Sequence, residues 1–142
     1  MVFIKTLLQT LLGAFLLSAG ASHLGSNRIE FLAQVPTWLP LDPDFVVVAS
    51  GLVEITLGLL LITTALIFKK YRAVVGVIAG VFFILIFPGN INQYVNQIDA
   101  FGLDTDAKRL IRLFFQPPLV AWAIWSTNSW QLVVKILRKI KK

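Results

Sequence analysis

Residues 45–68 run for 24 positions with a single charge, the carboxylate of Glu54. That length and apolarity suit a helix crossing a lipid bilayer, whose hydrocarbon layer of about 30 Å takes roughly 20 helical residues. Counted from Phe45 at 1.5 Å per residue, Glu54 lies roughly 14 Å deep, close to the midplane. A charge there costs about 2.5–3.5 kcal/mol on insertion scales. Glu54 is therefore expected to be protonated, paired or facing a wet cavity. The polar residues of the other apolar runs can be judged by whether they reach it.

Three further apolar runs, at residues 4–21, 73–87 and 110–125, accompany this one. Hydrophobic residues make up 57% of the chain and charged ones 14%, against roughly 45–50% and about 25% in soluble domains. The expected fold is all-α: a polytopic membrane protein, an antiparallel bundle of four transmembrane helices near 3–23, 45–68, 73–88 and 105–127. A transmembrane domain over 1–130 is followed by a basic amphipathic tail over 131–142. The first run, with Lys5 ahead of it and Ala19-Gly20-Ala21 behind, has the outline of a secretion signal. It is long for a signal core and further spans follow, so it is read as the first helix. The chain has no cysteine, which removes disulfides, thiol relays and thiolate metal sites.

The net charge of +6 is unevenly placed. Lys5, Lys69, Lys70, Arg72, Lys135, Arg138, Lys139, Lys141 and Lys142 fall on one side of a four-span arrangement, with no acidic residue among them. Glu30, Asp42, Asp44, Asp99, Asp104 and Asp106 fall on the other, with Arg28, Lys108, Arg109 and Arg112. The positive-inside rule then puts both termini in the cytoplasm and the protein in a plasma membrane of the bacterial inner-membrane type. Anionic lipid accounts for the basic tail without nucleic acid.

In chain order, Ala14, Ser18 and Ser22 form a line of small residues suited to a close helix contact, and His23 ends the first helix near the outer boundary. The loop over 26–44, rich in proline and carrying Trp38, lies on the membrane or folds back as a lid. Asp44 is placed to cap the second helix. Gly51, Glu54 and Gly58 share one face of it, with Ser50 one turn before Glu54. Gly76 and Gly80 mark a close contact on the third helix, and Pro88-Gly89 should kink or end it. Asn90 then points inward, while Asn96 and Gln97 are solvated. Asp104 or Thr105 caps the fourth helix, where Arg109, Arg112 and Gln116 share a face ahead of a kink at Pro117-Pro118.

The bundle orientation gathers His23, Ser50, Glu54, Asn90, Arg109, Arg112 and Gln116 in the outer half, and no comparable set is expected in the inner half. Arg112 is the expected charge partner of Glu54. Two readings of this cluster stand. It is a hydrogen-bonded knot that fixes the helices, or the floor and wall of an outward pocket for a small, mainly apolar ligand. No phosphate loop, metal-spaced ligand set or nucleophile triad is present, so neither a metal site nor catalysis by this chain alone is expected. A proton-coupled exporter using Glu54 as its switchable carboxylate is a further alternative, and it requires two subunits.

These residues resemble the DoxX-like family of small four-helix membrane proteins. The likeness runs through Ala19-Gly20 with His23, the loop 36–40, Ser50-Gly51 with Glu54-Ile55 and Gly58, Phe87-Pro88-Gly89-Asn90, and Arg112 with Gln116. The tail after Trp130 and the Pro117-Pro118 pair lie outside it. The resemblance implies a four-helix bundle with both termini inside, and His23, Glu54, Asn90 and Arg112 as a shared polar centre. Some relatives are quinone-linked oxidoreductase subunits, which would make quinone a ligand. Distant vertebrate relatives look like chaperones of receptor assembly, which would imply a membrane protein partner or homo-oligomer.

Overall fold

The computed structural model describes residues 1–141; Lys142, the last basic residue of the tail, lies outside them. Among the described residues the order is α1 (Val2–Leu24), α2 (Arg28–Leu32), α3 (Pro43–Leu66), a 3-10 turn (Lys69–Tyr71), α4 (Arg72–Val95), α5 (Asp106–Phe114), α6 (Gln116–Ser126) and α7 (Trp130–Ile140). The fold is all-α. Three helical segments, Val2–Leu24, Pro43–Leu66 and Lys69–Val95, are long and apolar enough to cross a membrane.

The start of α3 shows how local chemistry sets an end. Asp42, rather than Asp44, is the cap, accepting from the Phe45 N–H at 2.9 Å. Pro43 lacks an N–H and has its φ already fixed, so it belongs at the first helical position and puts the cap two residues before Asp44. Asp44 turns instead to Arg28, whose Nε and Nη2 donate to its two oxygens at 2.8 and 2.5 Å.

The tightest helix pair is α1 with α3. A Cβ at Gly20 would meet the Gly51 carbonyl at 2.5 Å, and one at Gly58 would meet the Gly13 carbonyl at 2.6 Å. Two glycines seven residues apart on each helix thus bring the backbones together. The line Ala14, Ser18, Ser22 does not make this contact: Ala14 and Ser18 are exposed. One helical position turns the surface by about 100°, so Gly13 faces α3 while Ala14 faces away.

Leu12 and Leu16 of α1, Leu57 and Leu61 of α3, Val75, Ala79, Phe82 and Phe83 of α4 and Ala123 of α6 form the core. The α4 helix continues through Pro88 to Val95, past the end that the Pro-Gly pair suggests. A proline inside a helix costs about 3 kcal/mol. Here Asn90, Asn92 and Gln93, just beyond it, are all buried against the fold, and their packing holds the helix across the break. The fourth long element bends as expected. Pro117 and Pro118 cannot donate to the Leu113 and Phe114 carbonyls, the helix is interrupted at Phe115, and the Phe115 N–H turns to the Arg112 carbonyl at 3.2 Å.

The end of the bundle where α1 begins and α6 stops also carries buried polar groups, contrary to the sequence expectation of an unremarkable inner half. Gln9 Nε2 donates to the Leu61 carbonyl at 2.8 Å and to Thr64 Oγ1 at 3.0 Å. Arg72 donates to the Ser126 carbonyl at 2.7 Å, and Ser129 Oγ to the Ala73 carbonyl at 2.8 Å. Gly76 leaves room for this set, since a Cβ there would lie 1.8 Å from Thr127 Oγ1. These side chains mostly satisfy carbonyls near helix ends, where backbone partners run out. The α7 helix beyond them has no buried residue.

Candidate functional site: a cavity between two helix pairs

At the opposite end, α1 and α3 stay in contact while α4 and the α5–α6 element stand off from them. The space between is a cavity of about 800 Å³ that Glu54 and His23 line from one side and Asn90, Arg112 and Gln116 from the other. Its size falls within the roughly 300–1,000 Å³ typical of small-molecule sites. Between the two polar walls the lining is apolar, with Phe15, Leu16, Val47, Leu85, Ile86 and Leu119 among it.

On the first wall, Gly51 makes the geometry possible. A Cβ there would lie 2.7 Å from the His23 Cβ, so only glycine lets His23 lie against α3. Its Nδ1 is 3.0 Å from Ser50 Oγ and its Nε2 is 3.4 Å from Glu54 Oε2. Ser50 Oγ donates its own proton to the Val47 carbonyl at 2.9 Å, which leaves a lone pair for an Nδ1–H. With Nδ1 protonated, Nε2 and Oε2 attract only if one more proton is shared between them. As a carboxylic acid beside imidazole or a carboxylate beside imidazolium, the pair is neutral overall. Glu54 is 5% exposed, yet its Oε2 has no hydrogen-bond partner. His23 is near enough for attraction but does not complete the bond.

On the second wall the polar groups are joined in series. Arg112 Nε donates to Asn90 Oδ1 at 3.2 Å, Asn90 Nδ2 to Gln116 Oε1 at 3.0 Å, and Gln116 Nε2 to the Phe83 carbonyl at 2.5 Å. Arg112 Nη2 also reaches Gln34 Oε1 at 3.4 Å. Gln34 donates to Gln93 Oε1 at 2.6 Å, and Gln93 to the Ile98 and Ala100 carbonyls, each at 3.2 Å.

The loop containing α2 covers the cavity as a lid, the second of the two dispositions open to it from sequence. Phe31 packs on the His23 ring and edge-on to Phe101, whose face lies 4.9 Å from the Arg112 guanidinium carbon. The Phe101 N–H donates to Glu30. Gln34 rides over Gly89, where a Cβ would lie 3.3 Å from its carbonyl oxygen. Phe101 sits at φ 56°, sparsely populated for a bulky residue. At the rim Lys108 donates to Asp104 at 2.7 Å, a bond that holds the Asp104 carboxyl below the usual carboxylate range.

Of the residues singled out from sequence, His23, Ser50, Glu54, Asn90, Arg112 and Gln116 line this one cavity. Arg109 is elsewhere: buried at the start of α5, it donates to Asp106 at 2.8 Å, to the Ile98 carbonyl at 3.2 Å and to Asp99, and it pins the 96–105 loop. His23, not Arg112, is the ionisable neighbour of Glu54. The i, i+3, i+7 spacing placed Arg112 on a face that lines the cavity, but on the wall opposite Glu54. Gln34, Phe31 and Phe101 are cavity residues that sequence spacing did not single out. Gln34 lies in a loop and Phe101 in a turn, so no helical period points to either.

A family model described as a domain of unknown function, DUF8561, matches residues 12–127. The chain is a DUF8561 protein. The DUF8561 match spans every residue of the cavity lining, from Phe15 to Leu119, and stops before α7. No curated protein matches the chain, and no solved structure does.

Proposed function

We propose that this DUF8561 protein is a four-span integral membrane protein, DoxX-like in plan, that holds a small amphiphilic molecule in an outward-facing cavity. One observation carries the reading: Glu54, buried and with an oxygen that no protein group hydrogen-bonds, faces an 800 Å³ space walled mainly by apolar side chains. A hydrogen-bond acceptor left unmet in hydrocarbon is costly. Water or a polar group brought by a bound amphiphile satisfies it, while the apolar walls take the body.

The bend at Phe115 supports counting α5 and α6 as one fourth span, because together they cover residues 106–126, about as long as α1. Lys5, Lys69, Lys70, Arg72 and the basic α7 all belong to the end away from the cavity, which under the positive-inside rule is cytoplasmic. Quinone, suggested by the DoxX-like resemblance, is one ligand of this class. The competing role, support of a membrane complex, is separated from ligand binding by filling the cavity. Ala19→Trp and Val47→Phe place bulk into the lining. Lipid extracted with the purified wild-type protein should include a stoichiometric small molecule that both variants lack. The same lipid profile in wild type and variants refutes the reading.

A further inference from the structure

The two polar walls differ in charge, and the difference specifies the ligand's head group. On the first wall a carboxyl and an imidazole stand 3.4 Å apart, and with one proton between the two groups they carry no net charge. Arg112 has no such compensation. Among the described residues the ion pairs are His23 with Glu54, Arg28 with Asp44, Lys108 with Asp104, and Arg109 with both Asp99 and Asp106. Among the described residues the hydrogen-bond acceptors of Arg112 are the amide oxygens of Asn90 and Gln34, and its guanidinium lies over the face of Phe101. These contacts orient the guanidinium without neutralising it. Its Nη1 makes no hydrogen bond to protein among the described residues, although Arg112 lines the cavity.

We infer that the cavity selects an anionic amphiphile, a single-chain carboxylate or phosphate monoester, whose head sits on Arg112. The inference rests on the ligand-binding reading above. A planar guanidinium offers paired N–H donors that match a carboxylate or phosphate. In a low-dielectric site an unpaired cation gains far more from an anion than it does in water. A neutral alcohol of the same chain length gains the apolar contacts but leaves Arg112 uncompensated.

The amide chain explains why Arg112 stays in place without a ligand. Asn90 and Gln116 pass its hydrogen bond to the Phe83 carbonyl, and Gln34 passes the other to Gln93. Arg112 is thereby pre-set, which lowers the ordering cost of binding.

The test is binding of oleate, oleyl phosphate and oleyl alcohol to the full chain in phosphatidylcholine nanodiscs, with protein-free nanodiscs as the blank. Removing a charge-assisted contact of about 1.5–3 kcal/mol corresponds to roughly 10- to 100-fold in affinity. Either oleate or oleyl phosphate should therefore bind the wild type at least about tenfold more tightly than oleyl alcohol, and the better of the two identifies the head group. Arg112→Gln should abolish that preference, and Arg112→Lys should retain part of it. Equal binding of anion and alcohol by the wild type overturns the head-group inference and leaves the ligand-binding reading standing. Binding of none of the three above the blank overturns both. The comparison in the wild type needs no variant to fold.

Discussion

His23 Nε2 lies 3.4 Å from Glu54 Oε2 across the α1–α3 contact, and that oxygen accepts no hydrogen bond. The pair exists because Gly20 and Gly51 let two helices meet at backbone distance, which brings the last turn of α1 against the third turn of α3. Its consequences can be measured one residue at a time.

Glu54→Gln keeps the volume and removes the acid. Because the carboxyl oxygen has no partner to lose, the thermal midpoint should stay within the effect of about 0.5 kcal/mol or rise, while occupancy by a co-purified ligand falls severalfold. Thermal unfolding in detergent and lipid analysis of the same sample check both halves. A large loss of stability with unchanged ligand content would make Glu54 a structural group.

Gly20→Ala and Gly58→Ala place a methyl 2.5 and 2.6 Å from a backbone carbonyl of the neighbouring helix. Overpacking of this kind costs about 1–3 kcal/mol. Ala14→Leu, on an exposed face of α1, should cost under about 0.5 kcal/mol. Equal effects at the three positions, read by denaturant unfolding in micelles, would mean that α1 and α3 do not meet through the glycines.

The elements differ in how far sequence reveals them. The long apolar helices were legible because lipid length and hydropathy leave few alternatives, and the bend before Pro117 because two missing N–H groups must break the ladder. The polar face of the cavity was legible through helical spacing on α3 and α5–α6. The pairing across it was not: spacing gives the angle of Arg112 around its helix, whereas the space between the helix pairs keeps it on the wall opposite Glu54. Of the glycine contact, spacing found Gly51 and Gly58 on one face of α3, but on α1 it took the line from Ala14 rather than the one from Gly13, a position earlier, and only packing separates the two. The lid was open to two readings because Gln34 and Phe101 reach the cavity from irregular segments and Phe31 from a helix of only five residues.

Asn90 and Gln116 form one unit. Gln116→Leu leaves Asn90 Nδ2 without its acceptor and takes the side-chain donor from the Phe83 carbonyl, at about 1–3 kcal/mol. In the double variant with Asn90→Leu the loss should fall short of the sum of the two single losses, as for residues in one network. Thermal unfolding of the four proteins closes the cycle. Additive losses would place the two amides in separate environments.

The absence of cysteine makes single introduced thiols clean reporters of sidedness. Ser26→Cys, in the turn after α1, should react with an impermeant maleimide in intact cells. Lys139→Cys, on α7, should react only after the membrane is opened. The reverse pattern would invert the proposed topology, and labelling of both thiols in intact cells would remove the even number of spans.

The most direct measurement is an ordered structure of the protein in lipid, with nothing added. Continuous, elongated density lying between Glu54 and the Asn90–Arg112 wall, with a polar end within hydrogen-bonding distance of one of them, is the expected result. A cavity closed by its own side chains, with Glu54 hydrogen-bonded to a protein group and no density between the walls, would contradict the proposal that this protein holds a ligand.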